Sequence, residues 1–304
     1  MTGESVGTSE KEVEMSASPK AVVTMRPYES ADEGMVLEIV NEDRLPGQPR
    51  VSAEMLAEAL AGRSEIDAGW WALLAPVRTD VAVDGSGQVV GVVSYAVHAA
   101  EPVGFLLWLH CREDESLATA LVDHACVELG TESVRAFDFA SALTRGLEAL
   151  PVRRRQATHR ALEKAGFTGE DLWRYMRMPL ESRELLPRGT GARARQCEGG
   201  NFEVRVRDRW GRKIGEVVVG PPVAGTGVLW WISVEERARG RGLGRALVGS
   251  ALDLLLEQGA REVILYVDDG PRAEDDRSAA NALYESVGFV EVDRLWFYTR
   301  GPRP

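Results

Sequence analysis

The sequence predicts an α/β protein, a mixed α+β sheet with helices on its faces, built twice in tandem. Three observations predict it. Hydrophobic periodicity gives the order β–β–β–α–β–α–β in each half of the 304 residues. Both halves close on a similar phrase, RALEKAGF at 160–167 and ANALYESVGF at 280–289, which marks a divergent internal repeat. Between them, residues 182–200 are rich in Gly and Arg and carry no periodicity, as a linker does. The expected organisation is a disordered tail over 1–20, a first domain over 21–181, this linker, and a second domain over 201–304.

The elements follow in chain order. Residues 1–20 are polar, rich in Ser, Glu and Lys, and without aromatics, so they cannot contribute to a core. A helix is expected from Ser30, where Glu33 completes a capping box and Met35, Val36, Ile39 and Val40 form one stripe. A second begins near Ser52, with Met55, Leu56, Ala59 and Leu60 on one face. Strand-like runs occupy 70–75, 79–83, 89–98 and 104–110, and Asp-Gly-Ser-Gly at 84–87 is a hairpin turn. A helix over 117–129, a strand over 134–139, a helix over 154–165 and a strand over 173–179 complete the first unit. In the second, strands are expected over 202–207, 214–219 and 228–234. A helix over 242–258 carries Leu243, Ala246, Leu247, Ala251 and Leu254 in one stripe, with Gly259 past its end. A strand over 262–267, a helix over 278–287 and strands over 289–299 finish the chain. This unit lacks the two helices that precede the sheet in the first.

Composition narrows the function classes. With 44% hydrophobic and 27% charged residues, the chain can bury a core without staples. A net charge of −11 argues against nucleic-acid binding through a basic surface. Counted from the sequence, 1–181 carry 17 basic and 29 acidic side chains and 182–304 carry 19 and 18, so the halves are expected to do different jobs. Cys111, Cys126 and Cys197, and His98, His110, His124 and His159, are too scattered for a disulfide framework or a metal motif. No apolar run reaches membrane-spanning length, and the acidic N-terminus does not read as a secretory signal, so a reducing cytoplasm is the expected compartment.

The sharpest local signal is the run from Val234 to Leu247, VEERARGRGLGRAL, in which a buried strand ends and a Gly/Arg loop opens into an amphipathic helix. Gly240, Gly242 and Gly244 permit close backbone approach, and the free amides and dipole of the helix start attract an anion. Arg239, Arg241 and Arg245 can add charge-assisted contacts. The dinucleotide fingerprint G-x-G-x-x-G is excluded by the spacing of these glycines. At the matching place in the first half, 111–116 read Cys-Arg-Glu-Asp-Glu-Ser, without glycine and with three consecutive acids that would repel pyrophosphate.

The Arg239-Gly-Arg-Gly-Leu-Gly244 run resembles the R/Q-x-x-G-x-G/A motif of the GNAT acetyltransferase superfamily, and 265–269 and 282–289 resemble that family's next strand and helix. The resemblance covers 202–299; the first half matches in element order only. It implies two tandem GNAT-like domains, the N-terminal one degenerate, as in mycothiol synthases and antibiotic-pathway acetyltransferases. It further implies that acetyl-CoA is the cofactor. The pyrophosphate would lie on Arg239, Gly240, Arg241, Gly242, Leu243, Gly244 and Arg245, and the pantetheine arm along Ile232, Ser233 and Val234. Tyr284 would protonate the departing thiolate. Asp268, Glu216 and Glu235 are candidates for the carboxylate that takes the amine proton, with Asp268 preferred. The family's Asn seven residues before the tyrosine is Arg277 here, and Asn281 is the nearest amide. The glutamate of mycothiol synthases aligns with Val228. The expected activity is acetyl transfer to a primary amine of a small molecule by direct attack, in a monomer or homodimer. The alternatives are a mycothiol synthase-like enzyme and a non-catalytic acyl-CoA-binding regulator. The first half is expected to wall the acceptor site.

Overall fold

The computed structural model describes residues 23–181, 184, 186–268 and 278–301; the tail over 1–20 and Arg277 lie outside them. In the first half β1 (Thr24–Pro27) leads to α1 (Glu33–Glu42), α2 (Ala53–Leu60) and the single turn α3 (Ala68–Trp71). Then come β2 (Arg78–Val83), β3 (Val89–Val97), β4 (Val103–His110), α4 (Glu115–Leu129), β5 (Ser133–Ala136) and the short β6 (Leu150–Pro151). Helix α5 (Gln156–Lys164) and β7 (Thr168–Pro179) end this half. The second half runs β8 (Ala194–Gln196), β9 (Phe202–Arg207), β10 (Lys213–Val223), β11 (Thr226–Val234), α6 (Leu243–Glu257), β12 (Glu262–Asp268), α7 (Ser278–Val287) and β13 (Val290–Arg300). Among the described residues, no helix is long and apolar enough to cross a membrane.

Four local expectations are corrected. The run 70–75 is not a strand: α3 buries Trp71 against Phe139, edge on at 5.4 Å, and its indole N–H donates to Ala140 O at 2.9 Å. That tertiary pocket outweighs the β-propensity of the tryptophans. The capping box lies one residue earlier than expected. Asp32 accepts from the Glu29 N–H at 2.9 Å and is gripped by Arg26 through two 2.7 Å bonds, so Ser30 opens only a 3-10 turn before α1. The strand expected over 134–139 stops at Ala136, because Phe137 turns the chain through a φ of 60°. Within 182–200, β8 pairs with β9, and Thr190 binds the Ser250 hydroxyl of α6. Gly249 is required there, since a Cβ on it would lie 2.3 Å from Pro187 O.

The strands form one sheet in the order β1-β2-β3-β4-β5-β13-β7-β12-β11-β10-β9-β8, with β6 paired on β13. The two halves exchange their last strands. β7 of the first half pairs antiparallel with β12 of the second, from Glu262↔Pro179 to Asp268↔Trp173. Conversely, β13 pairs with β5 of the first half over 298–300 and with β7 along most of its length.

Helices cover both faces of the first half: α4 and α5 over Leu106, Leu109 and Tyr298, and α1 to α3 over Val92, Phe105 and Leu107. The second half has α6 and α7 on one face only, over Leu229, Val263 and Leu265. Its other face, Val228 and Ile264, packs against Leu45, Ala149 and Tyr175 of the first half. The missing pair of helices is thus replaced by loops from the other half.

Candidate functional site

Strands β11 and β12 run parallel and in register only from Thr226↔Glu262 to Leu229↔Leu265. Beyond that, among the described residues, β11 bonds only to β10, through Ile232↔Val217, Ser233↔Glu216 and Val234↔Gly215, while β12 bonds to β7. A wedge opens between them. The Glu235 N–H donates to Ile214 O on the β10 side at 3.0 Å, so alternation turns the Val234 N–H toward the wedge.

Past Val234 a 3-10 turn over Glu236–Ala238 carries the chain to Arg239, Gly240, Arg241 and Gly242. Gly240 and Gly242 hold φ of 71° and 79°, a region open to glycine at little cost, and a Cβ on either would meet nothing within 4 Å. Gly242 is the N-cap of α6, and among the described residues no side chain caps that end. Its first amides, beginning at Leu243, face outward with the positive end of the helix dipole. Gly244 also serves packing, because its bare Cα lets the Leu283 side chain of α7 approach to 3.2 Å of where a Cβ would stand. Arg239 Nε donates to Val234 O at 3.1 Å, and Arg245 Nη1 donates to Ser286 Oγ of α7 at 2.9 Å.

The first half has closed the corresponding end. Asp114 caps α4 by accepting from the Leu117 N–H at 2.8 Å. Glu113 turns back, at φ 55°, onto the start of α5 and accepts from the Ala157 N–H at 2.8 Å and the Thr158 hydroxyl at 2.7 Å. Arg155, 4% exposed, neutralises it and also reaches Leu109 O at 2.7 Å. The chain's own carboxylates thus accept from the first amides of both α4 and α5. Arg155→Met is expected to destabilise the protein by about 3 kcal/mol, because the buried Asp43 and the half-buried Glu113 would keep their charges without their cation. Urea denaturation at pH 7 measures this.

Of the other sequence candidates, Tyr284 is 5% exposed, stacked edge-on with Phe289, and burial alone pushes its phenol up to about 12. It lies in the α6/α7 layer with Asn281 buried one turn earlier. Asp268 ends β12 opposite Trp173, and alternation from Ile264 and Tyr266 turns it to the other face. The structure therefore does not group Asp268 with Tyr284. Glu216 is bonded to Lys213 at 2.8 Å, which holds its carboxyl below the usual range, and it accepts from Ser233 Oγ at 3.3 Å. A carboxylate so paired is a poor proton acceptor. Glu235 is exposed. Trp71 is buried and Trp231 is 58% exposed, while their sequence neighbours Trp70 and Trp230 line cavities.

One residue escaped sequence reasoning. Glu148, on the loop after β5, lines a cavity of about 130 Å³ with Gly146, Trp173, Trp230 and Tyr266 on the second-half face of the wedge. The loop is clamped there. Tyr266 Oη donates to Arg145 O at 2.6 Å, Gln48 bridges Tyr266 Oη (2.9 Å) and the Arg145 N–H (2.7 Å), and Arg145 lies over Trp230. A second cavity of about 200 Å³, lined by Asp67, Trp70, Arg135, Asp138 and Phe139, shares Glu148. These loops all come from the first half. Only an acidic residue inside an otherwise apolar phrase, Leu147-Glu-Ala-Leu150, could have drawn attention to Glu148.

Residues 199–291 match the family model of the acetyltransferase (GNAT) domain, so the second half carries a domain of that superfamily. Within it the chain is similar to mycothiol acetyltransferases. It is 45% identical over 71 residues to that of Beutenbergia cavernae and 44% identical over 63 residues to that of Kocuria rhizophila. These alignments span 23% and 21% of this chain and only 22% and 19% of the relatives. Among solved structures, a tandem GNAT protein from the clavulanic acid biosynthesis pathway matches 93% of this chain and all of its own (TM-score 0.61, 16% identity). A GCN5-related N-acetyltransferase from Sphaerobacter thermophilus matches 93% of this chain and 96% of its own (TM-score 0.57, 17% identity). The mixed α/β fold over both halves is the tandem GNAT fold.

Proposed function

We propose that the chain is an acetyl-CoA-dependent N-acetyltransferase acting on a primary amine of a small molecule. The observation that carries this reading is the uncapped, glycine-lined start of α6 beside the β11–β12 wedge. Arg239, Gly240, Arg241, Gly242, Leu243, Gly244 and Arg245 would hold the pyrophosphate, combining helix amides with guanidinium charge. The edge of Ile232, Ser233 and Val234, which lacks a β12 partner, would pair with the pantetheine amides, and the Val234 N–H would polarise the thioester oxygen. The amine then attacks directly, without a covalent enzyme intermediate. Tyr284, protonated across the physiological range, would return a proton to the leaving sulfur.

Calorimetric titration with acetyl-CoA tests the reading: one site per chain is expected, and absence of binding would remove its basis. Tyr284→Phe is expected to lower kcat by about 100-fold with little change in acetyl-CoA affinity, measured by thiol release. An acetyltransferase of the mycothiol type is the second reading, favoured by the names of the relatives. The position where such enzymes place a glutamate is Val228 of β11 here, fully buried, which argues for a different route of proton removal.

A further inference from the structure

We infer that Glu148, carried by the first half, is the general base for the amine that attacks in the wedge of the second half. The inference rests on the acetyltransferase reading above and deepens it. Among the described residues lining the cavity on this face, the second half contributes Trp230 from β11 and Tyr266 from β12, around a space of about 130 Å³. Among those described residues Glu148 is the carboxylate, and it also borders the outer cavity, a route of entry for an acceptor. The clamped loop fixes its position, with Gly146 so close that a Cβ would lie 2.5 Å from the Trp230 ring.

The surroundings suit that role. Burial, and then the charges of Asp67 and Asp138, push the Glu148 carboxyl up to about 7. Asp67 comes from the turn before α3 and Asp138 from just past the end of β5. Arg135 of β5 is engaged by Asp138 at 3.0 Å, and the Arg145 guanidinium is directed to Pro221 O at 2.8 Å. Among the described residues Tyr266 completes the charged or titratable groups lining the two cavities, and burial keeps its phenol protonated. The acceptor therefore meets a site of negative balance with aromatic walls, which selects a cationic amine carried on a flat or apolar body.

The proton balance closes. The ammonium passes one proton to the Glu148 carboxylate, which releases it to solvent. The neutral nitrogen forms its bond to the thioester carbonyl carbon, and the C–S bond breaks with its electron pair on sulfur. Sulfur takes the Tyr284 proton, and the second proton shed by nitrogen restores the phenol. Base and acid thus stand on opposite faces of the sheet, with the wedge between them.

The test uses the full chain with glucosamine, tyramine and kanamycin as acceptors, and water as the acceptor of last resort. Thiol release is followed from pH 5.5 to 9, and acetyl-CoA binding by calorimetry. For the wild type, kcat/KM is expected to rise through about pH 7 as Glu148 ionises. Glu148→Gln is expected to lower kcat by about 100-fold or more and to erase that limb while binding acetyl-CoA as before. Glu148→Asp should restore part of both. Wild-type turnover or an unchanged pH limb in Glu148→Gln would overturn the inference, and so would loss of acetyl-CoA affinity in that variant. A wild type that turns over no acceptor would also overturn it. The wild-type titration then says whether the cofactor reading falls too.

Discussion

Gly242→Glu is expected to abolish acetyl-CoA binding while leaving the fold intact. The position tolerates a side chain sterically, since a Cβ there meets nothing within 4 Å. The backbone resists it only mildly: a φ of 79° costs a non-glycine residue about 1–2 kcal/mol. The new carboxylate would stand at the start of α6, accept its free amides, and present a negative charge where the pyrophosphate is proposed to sit. Opposing like charges at such a site cost several kcal/mol, and about 4 kcal/mol corresponds to about a thousandfold in Kd. The first half already contains the equivalent arrangement, with Asp114 accepting from Leu117 N–H at 2.8 Å at the head of α4. Calorimetry on the variant, with a thermal melt as the folding control, gives the answer. A variant that melts like the wild type and still binds would mean that the cofactor does not use this loop.

The contrast between those two helix starts is readable from sequence, because the signal is local. Strand, glycines, arginines and helix follow one another within fourteen positions, and 111–116 replaces them with acids. The same locality explains the helices over 115–129 and 243–257, whose stripes and terminal glycines agree with each other. Glu148 is illegible for the opposite reason. Its role depends on Asp67, Trp173, Trp230 and Tyr266, which are distant in sequence and meet it only through the sheet order. Trp70 and Trp71 show the same limit on a smaller scale: adjacent aromatics suggest a strand, yet one is 57% exposed and the other 5%, and a pocket over Phe139 decides between them. Partner choice among strands is equally invisible. β7 and β13 both follow a helix and a Gly-Phe pair, and nothing in either says whose β-edge it will join.

That exchange gives the last prediction. A protease site inserted near 191–193, where the chain is largely exposed, is expected to yield two fragments that remain together through gel filtration and melt in one transition. The reason is the position of β7. It stays covalently with the first fragment, yet it is hydrogen-bonded along seven residues to β12 of the second and lies beside β13 on its other edge. Separating the fragments would expose Tyr175, Met176, Leu295 and Tyr298, each no more than 1% exposed. Burying a side chain of that size is worth about 1.5–3 kcal/mol, so these four alone oppose dissociation by about 6–12 kcal/mol before the strand ladders are counted. Cleavage removes only the tether, and the melting temperature should fall by a few degrees at micromolar concentration and depend on dilution. Two lobes joined by a flexible linker would behave otherwise, eluting separately and melting independently. The same logic makes residues 192–304 alone a poor folding unit: without β7, β12 and β13 each lose the strand that joins them, and the face carrying Val228 and Ile264 loses Leu45, Ala149 and Tyr175.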